Sequence, residues 1–346
     1  MSGWRAMFGR SQGLLVAILL FILFYGVYNA NHPKGFTGSV LVQNANESLA
    51  LIMAAMAQTV PVLAGGLDLS VGAIITLVNC LASHLITGGP ASVVGGIVVC
   101  LVAGLLAGFV NGCIVVYGRL QPIVATLASG AVYIGLALFL RPTPGGEIDQ
   151  DLAWALTNDL YEMAATFGLF DNGDAAWFQP IAWIPVPLII LVAVLLLVWL
   201  PFKRTVTGRS VYAVGSSEQA AYMSGLAVDR AKLAAFTLGG FFAGVGGVYL
   251  ALQTSSGNAD LPQAAAYTLN SIAAVVIGGT SLMGGSGGAF ASAIGALVIR
   301  AISFNFRIFD VAPLLQPLIE GLVLLAAVSL GASRVFRVRN RLELLG

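Results

Sequence analysis

Residues 92–117 read SVVGGIVVCLVAGLLAGFVNGCIVVY and contain no charged side chain. A helix needs ~20 mostly apolar residues to cross the hydrocarbon core of a bilayer, so this stretch predicts a membrane-spanning helix. Gly104 and Gly108 lie four residues apart within it, and Gly240 and Gly244 repeat that spacing later in the chain. Because small residues let helix backbones approach closely in lipid, the pattern predicts a bundle of packed spans.

The same apolar character extends along the whole chain of 346 residues, of which 58% are hydrophobic and only 9% charged. An average soluble domain has roughly a quarter of its residues charged, so this chain needs lipid around it. We predict a single all-α transmembrane domain over residues 1–346, a polytopic bundle of about ten spans with broken helices. The predicted spans are 12–30, 42–64, 68–87, 92–117, 122–140, 181–201, 232–252, 267–283, 288–305 and 312–331.

The charged residues predict the orientation. Lysine and arginine are most frequent from Lys203 to Lys232 and from Arg334 to Arg341, and such segments stay on the cytoplasmic side of bacterial membranes. Both termini are then cytoplasmic, the number of spans is even, and the chain is expected in the bacterial inner membrane. From Pro142 to Pro201 there are acidic residues and no lysine or arginine, so 141–180 is predicted as a periplasmic loop that either docks a partner or is merely solvated.

Residues for enzymatic or metal chemistry are missing. The lysines are Lys34, Lys203 and Lys232, and none completes the phosphate-binding pattern GxxxxGK[ST]. His32 and His84 belong to no HExxH motif. We therefore expect no catalytic residue, no metal and no cofactor in this chain. The net charge of +1 gives no reason to expect a nucleic-acid partner.

Asp68 is an acid inside an apolar run, in the string GGLDLSVG of residues 65–72. An ionised side chain at the bilayer centre costs at least ~2.5 kcal/mol on insertion scales, so its presence calls for a reason. Gly65 and Gly66 free the backbone to turn, and Asp68 is then either simply the N-cap of the third span or part of a broken helix that lines a solute pathway. The two interpretations are compatible.

A second glycine-rich break follows an apolar run at residues 277–288, IGGTSLMGGSGG. Paired glycine-interrupted segments in the two halves of a chain are typical of transporters built from repeats. The alternative is a flexible hairpin between two spans. We expect structural glycines at both breaks: Gly65, Gly66, Gly72, Gly278 and Gly279.

The segment 202–232 is the longest polar stretch on the predicted cytoplasmic side. Within it, Ser216 and Gln219 predict a capping box, Glu218 lies in the first helical turn, and Gly225 ends the helix. A helix of about seven residues is not stable alone in water. Either a cytosolic partner holds it, or it packs on the inner face of its own chain.

At these residues the sequence resembles the permease subunits of ribose-type bacterial ABC sugar importers. Three ordered motifs carry the resemblance, which runs from about residue 45 to the end of the chain: GGLDLSVG at Gly65–Gly72, GRSVYAVG at Gly208–Gly215 and IAAVVIGGTSL at Ile272–Leu282. The resemblance implies the type II ABC importer transmembrane fold. It also implies a second permease subunit, identical or paralogous, a cytosolic ATPase pair that carries ATP and Mg²⁺, and a periplasmic binding protein that delivers a monosaccharide.

On this resemblance we expect two groups of functional residues. The pathway-lining or gating groups are Asp68, Ser70, Thr126, Thr280 and Ser281. The ATPase-contact group, around the helix at 217–224, consists of Arg209, Ser217, Glu218 and Gly225.

Four positions depart from the family pattern. Thr268 and Asn270 replace an acidic pair, and Ser216 and Ser217 replace Gly-Asn. Permeases for nucleosides or branched-chain amino acids share the architecture, so they stay open as alternatives. An ion-coupled secondary transporter is a rival from another class, but only Asp68 and Glu320 offer intramembrane coupling groups. A membrane-embedded enzyme would need the nucleophile or metal constellation that the sequence does not supply.

Overall fold

A computed structural model describes residues 2–168, with side chains from residue 13 onward, residues 178–312, and residues 315, 316, 318, 319, 321, 322 and 325. The regular structure of these residues is helical, and they contain no strand. The helices are α1 (Ser2–Asn31), α2 (Gly38–Leu63), α3 (Val71–Leu85), α4 (Pro90–Val116), α5 (Pro122–Leu140), α6 (Gln150–Thr157), α7 (Leu160–Thr166), α8 (Val186–Val194), α9 (Leu200–Arg204), α10 (Val206–Ser216), α11 (Glu218–Met223), α12 (Val228–Thr254), α13 (Leu261–Ile277) and α14 (Ala289–Ile308).

Seven helices of the described chain are long and apolar enough to cross a membrane, and α3 and α13 are shorter apolar helices. One of the seven, Val186–Arg204, joins α8 to α9 through the π-helical turn Leu195–Trp199. Nine of the ten predicted spans thus have a helix in the described residues. The tenth, 312–331, lies largely outside them. The prediction of an all-α, multi-pass membrane protein is confirmed.

Two predicted spans differ from the helices at their boundaries. The span at 68–87 shortens to α3, because residues 64–70 leave the helical path before Val71. The span at 267–283 is shifted to α13, which begins at Leu261. Pro262 is tolerated there, since the first turn of a helix lacks partners for its amides. Gly278 ends the same helix, so both breaks are loops and neither is a membrane-spanning helix.

The core of the bundle forms around α12, which packs against α2, α3 and α4. The glycines with fourfold spacing lie at the crossing of α4 and α12. A Cβ on Gly104 would come within 2.7 Å of the Gly240 carbonyl oxygen and of the Gly244 Cα. A Cβ on Gly108 would overlap the Phe236 carbonyl oxygen. The close approach predicted from the spacing is therefore present, and larger residues at these positions would separate the two helices.

Part of the predicted periplasmic loop is ordered by its own acids. Asp149 caps α6 by accepting a hydrogen bond from the Leu152 amide at 2.8 Å, and Asp159 caps α7 by accepting one from the Glu162 amide at 3.0 Å. The Asp149 amide also donates to the Ile86 carbonyl at the end of α3 at 2.8 Å. These carboxylates thus have a structural role that neither interpretation of the loop included.

Candidate translocation and coupling site

The first break begins with a backbone motif that requires glycine. Gly65 takes a left-handed φ of +82°. Its amide donates to the Val62 carbonyl, and the Gly66 amide donates to the Pro61 carbonyl, each at 2.9 Å. This pairing is the Schellman motif, in which a residue without a Cβ avoids the steric cost of the left-handed conformation. Gly65, which was predicted to be a structural glycine, therefore ends α2.

The second break begins in the same way. Gly279 has a φ of +85°, its amide donates to the Val276 carbonyl at 2.9 Å, and the Thr280 amide donates to the Val275 carbonyl at 3.0 Å. A Cβ on the preceding Gly278 would overlap the backbone of α14. The helices that precede the two breaks, α2 and α13, therefore end in the same backbone motif.

Asp68 lies in the first break and is buried, with 1% of its surface exposed. Its Oδ1 accepts hydrogen bonds from the Ser70 amide at 2.8 Å and from the Ser70 hydroxyl at 2.6 Å. Assigning Asp68 as the N-cap of α3 is wrong by two residues, because Ser70 is the N-cap residue. The carboxylate instead fixes the residue from which α3 starts.

Three polar side chains from other helices complete this network, and the sequence analysis missed them. Gln58 of α2, with its amide oriented to satisfy both groups, donates to the Asp68 carbonyl at 2.7 Å and accepts from the Asp68 amide at 3.2 Å. Asn111 of α4 donates to the Ser70 hydroxyl at 2.7 Å, and Tyr133 of α5 donates to the Asn111 side chain at 3.0 Å. Gln58 and Asn111 could have been found in the sequence as amide side chains within apolar spans. Such a group needs a hydrogen-bond partner inside the protein, because lipid offers none.

Two threonines hold the rest of the first break. Thr126 of α5 accepts a hydrogen bond from the Leu69 amide at 2.9 Å, and Thr268 of α13 accepts one from the Gly72 amide at 3.0 Å. A Cβ on Gly72 would overlap the Ala264 carbonyl oxygen, so glycine is required for the approach of α13. Thr268, one of the departures from the family pattern, thus holds the start of α3.

The second break is held through hydroxyl groups. Thr280 and Ser292 have their hydroxyl oxygens 3.3 Å apart, and Thr59 of α2 donates to Ser292 at 2.7 Å. The Ser281 hydroxyl accepts from the Met283 amide at 3.2 Å. The break connects α13 to α14, as the hairpin alternative required, and this chain of hydroxyls also ties it to α2.

Both breaks meet the polar segment that follows α9. The Gly285 amide donates to the Leu63 carbonyl at 3.1 Å, and a Cβ on Gly215 would overlap that same carbonyl oxygen. Tyr212 donates its hydroxyl to the Gly287 carbonyl at 3.0 Å. Burial raises the pKa of Tyr212 to about 12, so the phenol keeps the proton that this bond needs. We call this contact of α10 with the end of α2 and the second break the three-way junction.

A cavity of about 310 Å³ opens beside the three-way junction. Its lining includes Gly65, Gly66 and Gly215, together with the ion pair between Glu218 and Lys232. The carboxylate and ammonium groups are 2.6 Å apart, with side-chain exposures of 60% for the acid and 24% for the base. Exposed ion pairs contribute only about 0–1 kcal/mol, so this one orients α11 on α12 more than it stabilises the fold.

The capping of α11 differs from the prediction by one residue. Ser217 is the N-cap and accepts a hydrogen bond from the Ala220 amide at 3.3 Å. The predicted capping box of Ser216 and Gln219 is wrong, because Ser216 belongs to the last turn of α10. Gly225 ends α11 with a φ of +77°, as predicted.

The helix α10 was not predicted from the sequence. Thr205 caps it by accepting a hydrogen bond from the Gly208 amide at 3.0 Å, and Val211 and Val214 bury one side of it. Arg209 is exposed on the same helix. Two glycines and several β-branched residues lower the helix propensity of this segment, and packing at the three-way junction overrides that preference.

The short helix α11 has a packed side and a free side in the described chain. Ala221 is buried, whereas Tyr222 and Met223 are 74% and 80% exposed. The expectation that α11 packs on its own chain therefore holds for one face only. Tyr222 and Met223 thus give the free side of α11 an exposed apolar surface within a polar segment.

The predicted gating residues fall into two buried groups. Asp68, Ser70 and Thr126 belong to the first break, while Thr280 is buried and Ser281 half-buried in the second. Their lining of a solute pathway stays a prediction. Among the described side chains, no group of three or more His, Cys, Asp or Glu residues converges as a metal site.

Comparison with known proteins identifies the family of the chain. The family described as "Branched-chain amino acid transport system / permease component" matches residues 40–328. Ribose import permease protein RbsC of Haemophilus influenzae is 30% identical over 92% of this chain and 91% of its own length, and that of Bacillus subtilis is 34% identical over 80% and 79%. D-allose transport system permease protein AlsC of Escherichia coli is 30% identical over 94% and 92%.

No solved structure matches the chain significantly. The family match covers both breaks, α10 and α11, which are the elements that form the three-way junction and the cavity beside it. The chain belongs to the branched-chain amino acid transport system permease component family.

Proposed function

We propose that this chain is the permease subunit of an ABC importer that carries a monosaccharide or a closely related solute. The names of its relatives, which are permeases for ribose and D-allose, favour a sugar over nucleosides and branched-chain amino acids. They also favour an ATP-driven system over an ion-coupled secondary transporter. ATP hydrolysis then belongs to a separate subunit, and this chain is not an enzyme.

The complex that we propose has three kinds of protein component. This chain, a single membrane domain over residues 1–346, pairs with a second permease subunit that is identical or paralogous. A pair of cytosolic ATPases binds ATP and Mg²⁺, and a periplasmic binding protein delivers the sugar. The permease lies among the lipids of the bacterial inner membrane, with both termini and the segment 202–232 in the cytoplasm, and 141–180 in the periplasm.

The observation that carries this proposal is the three-way junction. Gly215 of α10 lies against the carbonyl oxygen of Leu63, at the end of α2, and against the Gly285 amide in the second break. A displacement of α10 and α11 by the ATPase therefore reaches both breaks through backbone contact. Protein interiors are close-packed and transmit such displacements as rigid-body shifts.

In this mechanism the predicted gating residues act by holding the breaks. Asp68, Ser70 and Thr126 fix the start of α3. Thr280 meets Ser292 of α14, and Ser281 orders the loop before α14 by accepting from the Met283 amide. Transport then proceeds by alternating access: ATP-driven closure of the ATPases moves α11, and the two permeases rock about the pathway between them.

The proposed function is tested by solute-dependent ATP hydrolysis in lipid nanodiscs that contain the permease, its ATPase and its binding protein. A panel of pentoses, hexoses, nucleosides and amino acids is supplied, each with the binding protein. We expect ATP hydrolysis to rise with one sugar or a few related sugars. Stimulation by a nucleoside or an amino acid alone would contradict the sugar assignment. Uptake that follows an ion gradient without an ATPase would contradict the importer itself.

For the ATPase contact we propose the free face of α11. Tyr222 and Met223 supply the apolar anchors. Of the residues predicted from the sequence, Ser217 caps α11, Glu218 begins it, Gly225 follows its end, and Arg209 is exposed on α10. Buried aromatic anchors at interfaces commonly contribute 2 kcal/mol or more, whereas exposed charges contribute about 0–1 kcal/mol.

We expect the double substitution Tyr222→Ala and Met223→Ala to weaken ATPase binding by roughly thirtyfold, the factor that about 2 kcal/mol represents. Co-purification and titration of the ATPase onto permease nanodiscs measure it. Tyr117→Ala is the matched control, because Tyr117 follows α4 and is also 70% exposed. Equal ATPase affinity of the double variant and the Tyr117 variant would place the contact elsewhere.

A further inference from the structure

A second open cavity lies on the outside of the bundle, between α4, the helix Val186–Arg204 and α12. It is a groove of about 500 Å³, and its walls are almost entirely apolar. Leu105 and Phe109 form one side, Val198 and Phe202 a second, and Phe241 contributes to a third. A groove of this size on a membrane-facing surface accommodates the acyl chains of a lipid.

The helix that forms one wall is irregular at the groove. Leu195–Trp199 is a π-helical turn, and Val198 within it lines the groove. A π turn inserts an extra residue into an α-helix and displaces the side chains that follow it, and such turns are frequent at functional sites. Phe202, which follows the turn, also lines the groove. The π-helical turn thus lies at the groove and sets the positions of the side chains that form this wall.

One end of the groove is positively charged. Arg230 is the only charged residue among those that line it, and its side chain is exposed. Arg230 lies in the first turn of α12, which starts after α11. Lys203 and Arg204, in the last turn of α9, directly follow the groove residue Phe202. The proposed orientation places all three basic residues at the cytoplasmic surface of the bilayer.

We propose that this groove binds an anionic phospholipid of the cytoplasmic leaflet, with its acyl chains along the apolar walls and its phosphate at Arg230. The guanidinium is suited to this role, because its planar donors match phosphate oxygens in pairs. Lys203 and Arg204 add positive potential at the same level, and basic pockets between transmembrane helices recognise anionic headgroups. The proposal uses the orientation of the chain and is independent of the solute that the permease carries.

Native mass spectrometry of the purified full-length chain tests the site, with phosphatidylglycerol and phosphatidylcholine of identical acyl chains as probes. We expect the unaltered chain to retain phosphatidylglycerol several-fold more than phosphatidylcholine. Arg230→Gln removes the guanidinium, and it should erase this preference while leaving residual binding of both lipids. Arg119→Gln is the matched control, because Arg119 lies in the loop between α4 and α5 and does not line the groove.

A second variant tests the groove without changing charge. Ala234 lines the groove, so Ala234→Leu should fill part of it and reduce the retention of both lipids. Equal retention of the two lipids by the unaltered chain would overturn the proposal, as would an unchanged preference in Arg230→Gln. Unchanged retention in Ala234→Leu would show that the bound lipid lies elsewhere, and retention of neither lipid by the unaltered chain would also overturn the proposal.

Discussion

Replacing Asp68 with alanine is expected to abolish most transport and to lower the thermal stability of a permease that still inserts into the membrane. The substitution removes the acceptor for both Ser70 hydrogen bonds, at 2.8 and 2.6 Å, where both residues are buried. Leaving a buried donor unpaired costs about 1–3 kcal/mol. Because the start of α3 is then no longer fixed, uptake should fall by roughly tenfold or more, the factor that about 1.4 kcal/mol represents.

Asp68→Asn separates hydrogen bonding from charge. Asparagine has the same shape, and its side-chain oxygen accepts the same two hydrogen bonds. Its NH2 group would occupy the buried place of Oδ2, which has no partner among the described residues and adds a cost of its own. We therefore expect this variant to melt above Asp68→Ala but below the unaltered chain, and to recover part of its uptake. Thermal unfolding and solute uptake are measured on equal amounts of inserted protein. Normal uptake and normal melting of Asp68→Ala would remove the carboxylate from both the fold and the mechanism.

Replacing Gly215 with valine is expected to uncouple ATP hydrolysis from transport. A Cβ at this position would overlap the Leu63 carbonyl oxygen and lie 2.6 Å from the Gly285 amide nitrogen. These are backbone atoms and cannot move aside as a side chain would, so α10 must separate from both breaks. We expect ATP binding and basal hydrolysis to persist, while stimulation by the delivered solute and uptake fall by roughly tenfold or more, again about 1.4 kcal/mol.

The matched control is Gly26→Val in α1, where a new Cβ meets no atom within 4 Å. That variant should transport normally, which shows that a glycine-to-valine change is tolerated where space exists. Comparing solute-stimulated hydrolysis with basal hydrolysis for the two variants gives the coupling directly. If Gly215→Val kept normal stimulation, the displacement of α10 would not pass through the three-way junction.

The sequence predicted which glycines matter because their role is set locally. Gly65, Gly225 and Gly279 each have a left-handed φ at a helix end, and each lies in a short glycine-containing string that sequence patterns reveal. The N-cap residues of α3 and α11 could not be assigned from the sequence to a single position, because polar residues lie side by side there. Ser70 is the cap where Asp68 was predicted, and Ser217 where Ser216 was predicted. A shift of one or two residues leaves the pattern almost unchanged.

The rest of the site depends on tertiary contacts that no local pattern encodes. Gln58, Asn111 and Thr268 come from three different helices, and all three contact the first break. Their positions as polar residues in apolar spans could be seen in the sequence, but their common partner could not. The helix α10 was missed for a related reason, because its stability comes from packing at the three-way junction.

The hydrogen bonding of the first break bears on how the permease treats its cargo. The amides of Gly65, Gly66, Leu69, Ser70 and Gly72 all donate to acceptors within the chain. Transporters that bind substrate at broken helices leave such backbone groups open to it. These five donors are already occupied, so they offer a passing molecule no hydrogen bond. We therefore expect its dwell time there to be short, and we propose that discrimination between cargoes falls to the component that delivers them.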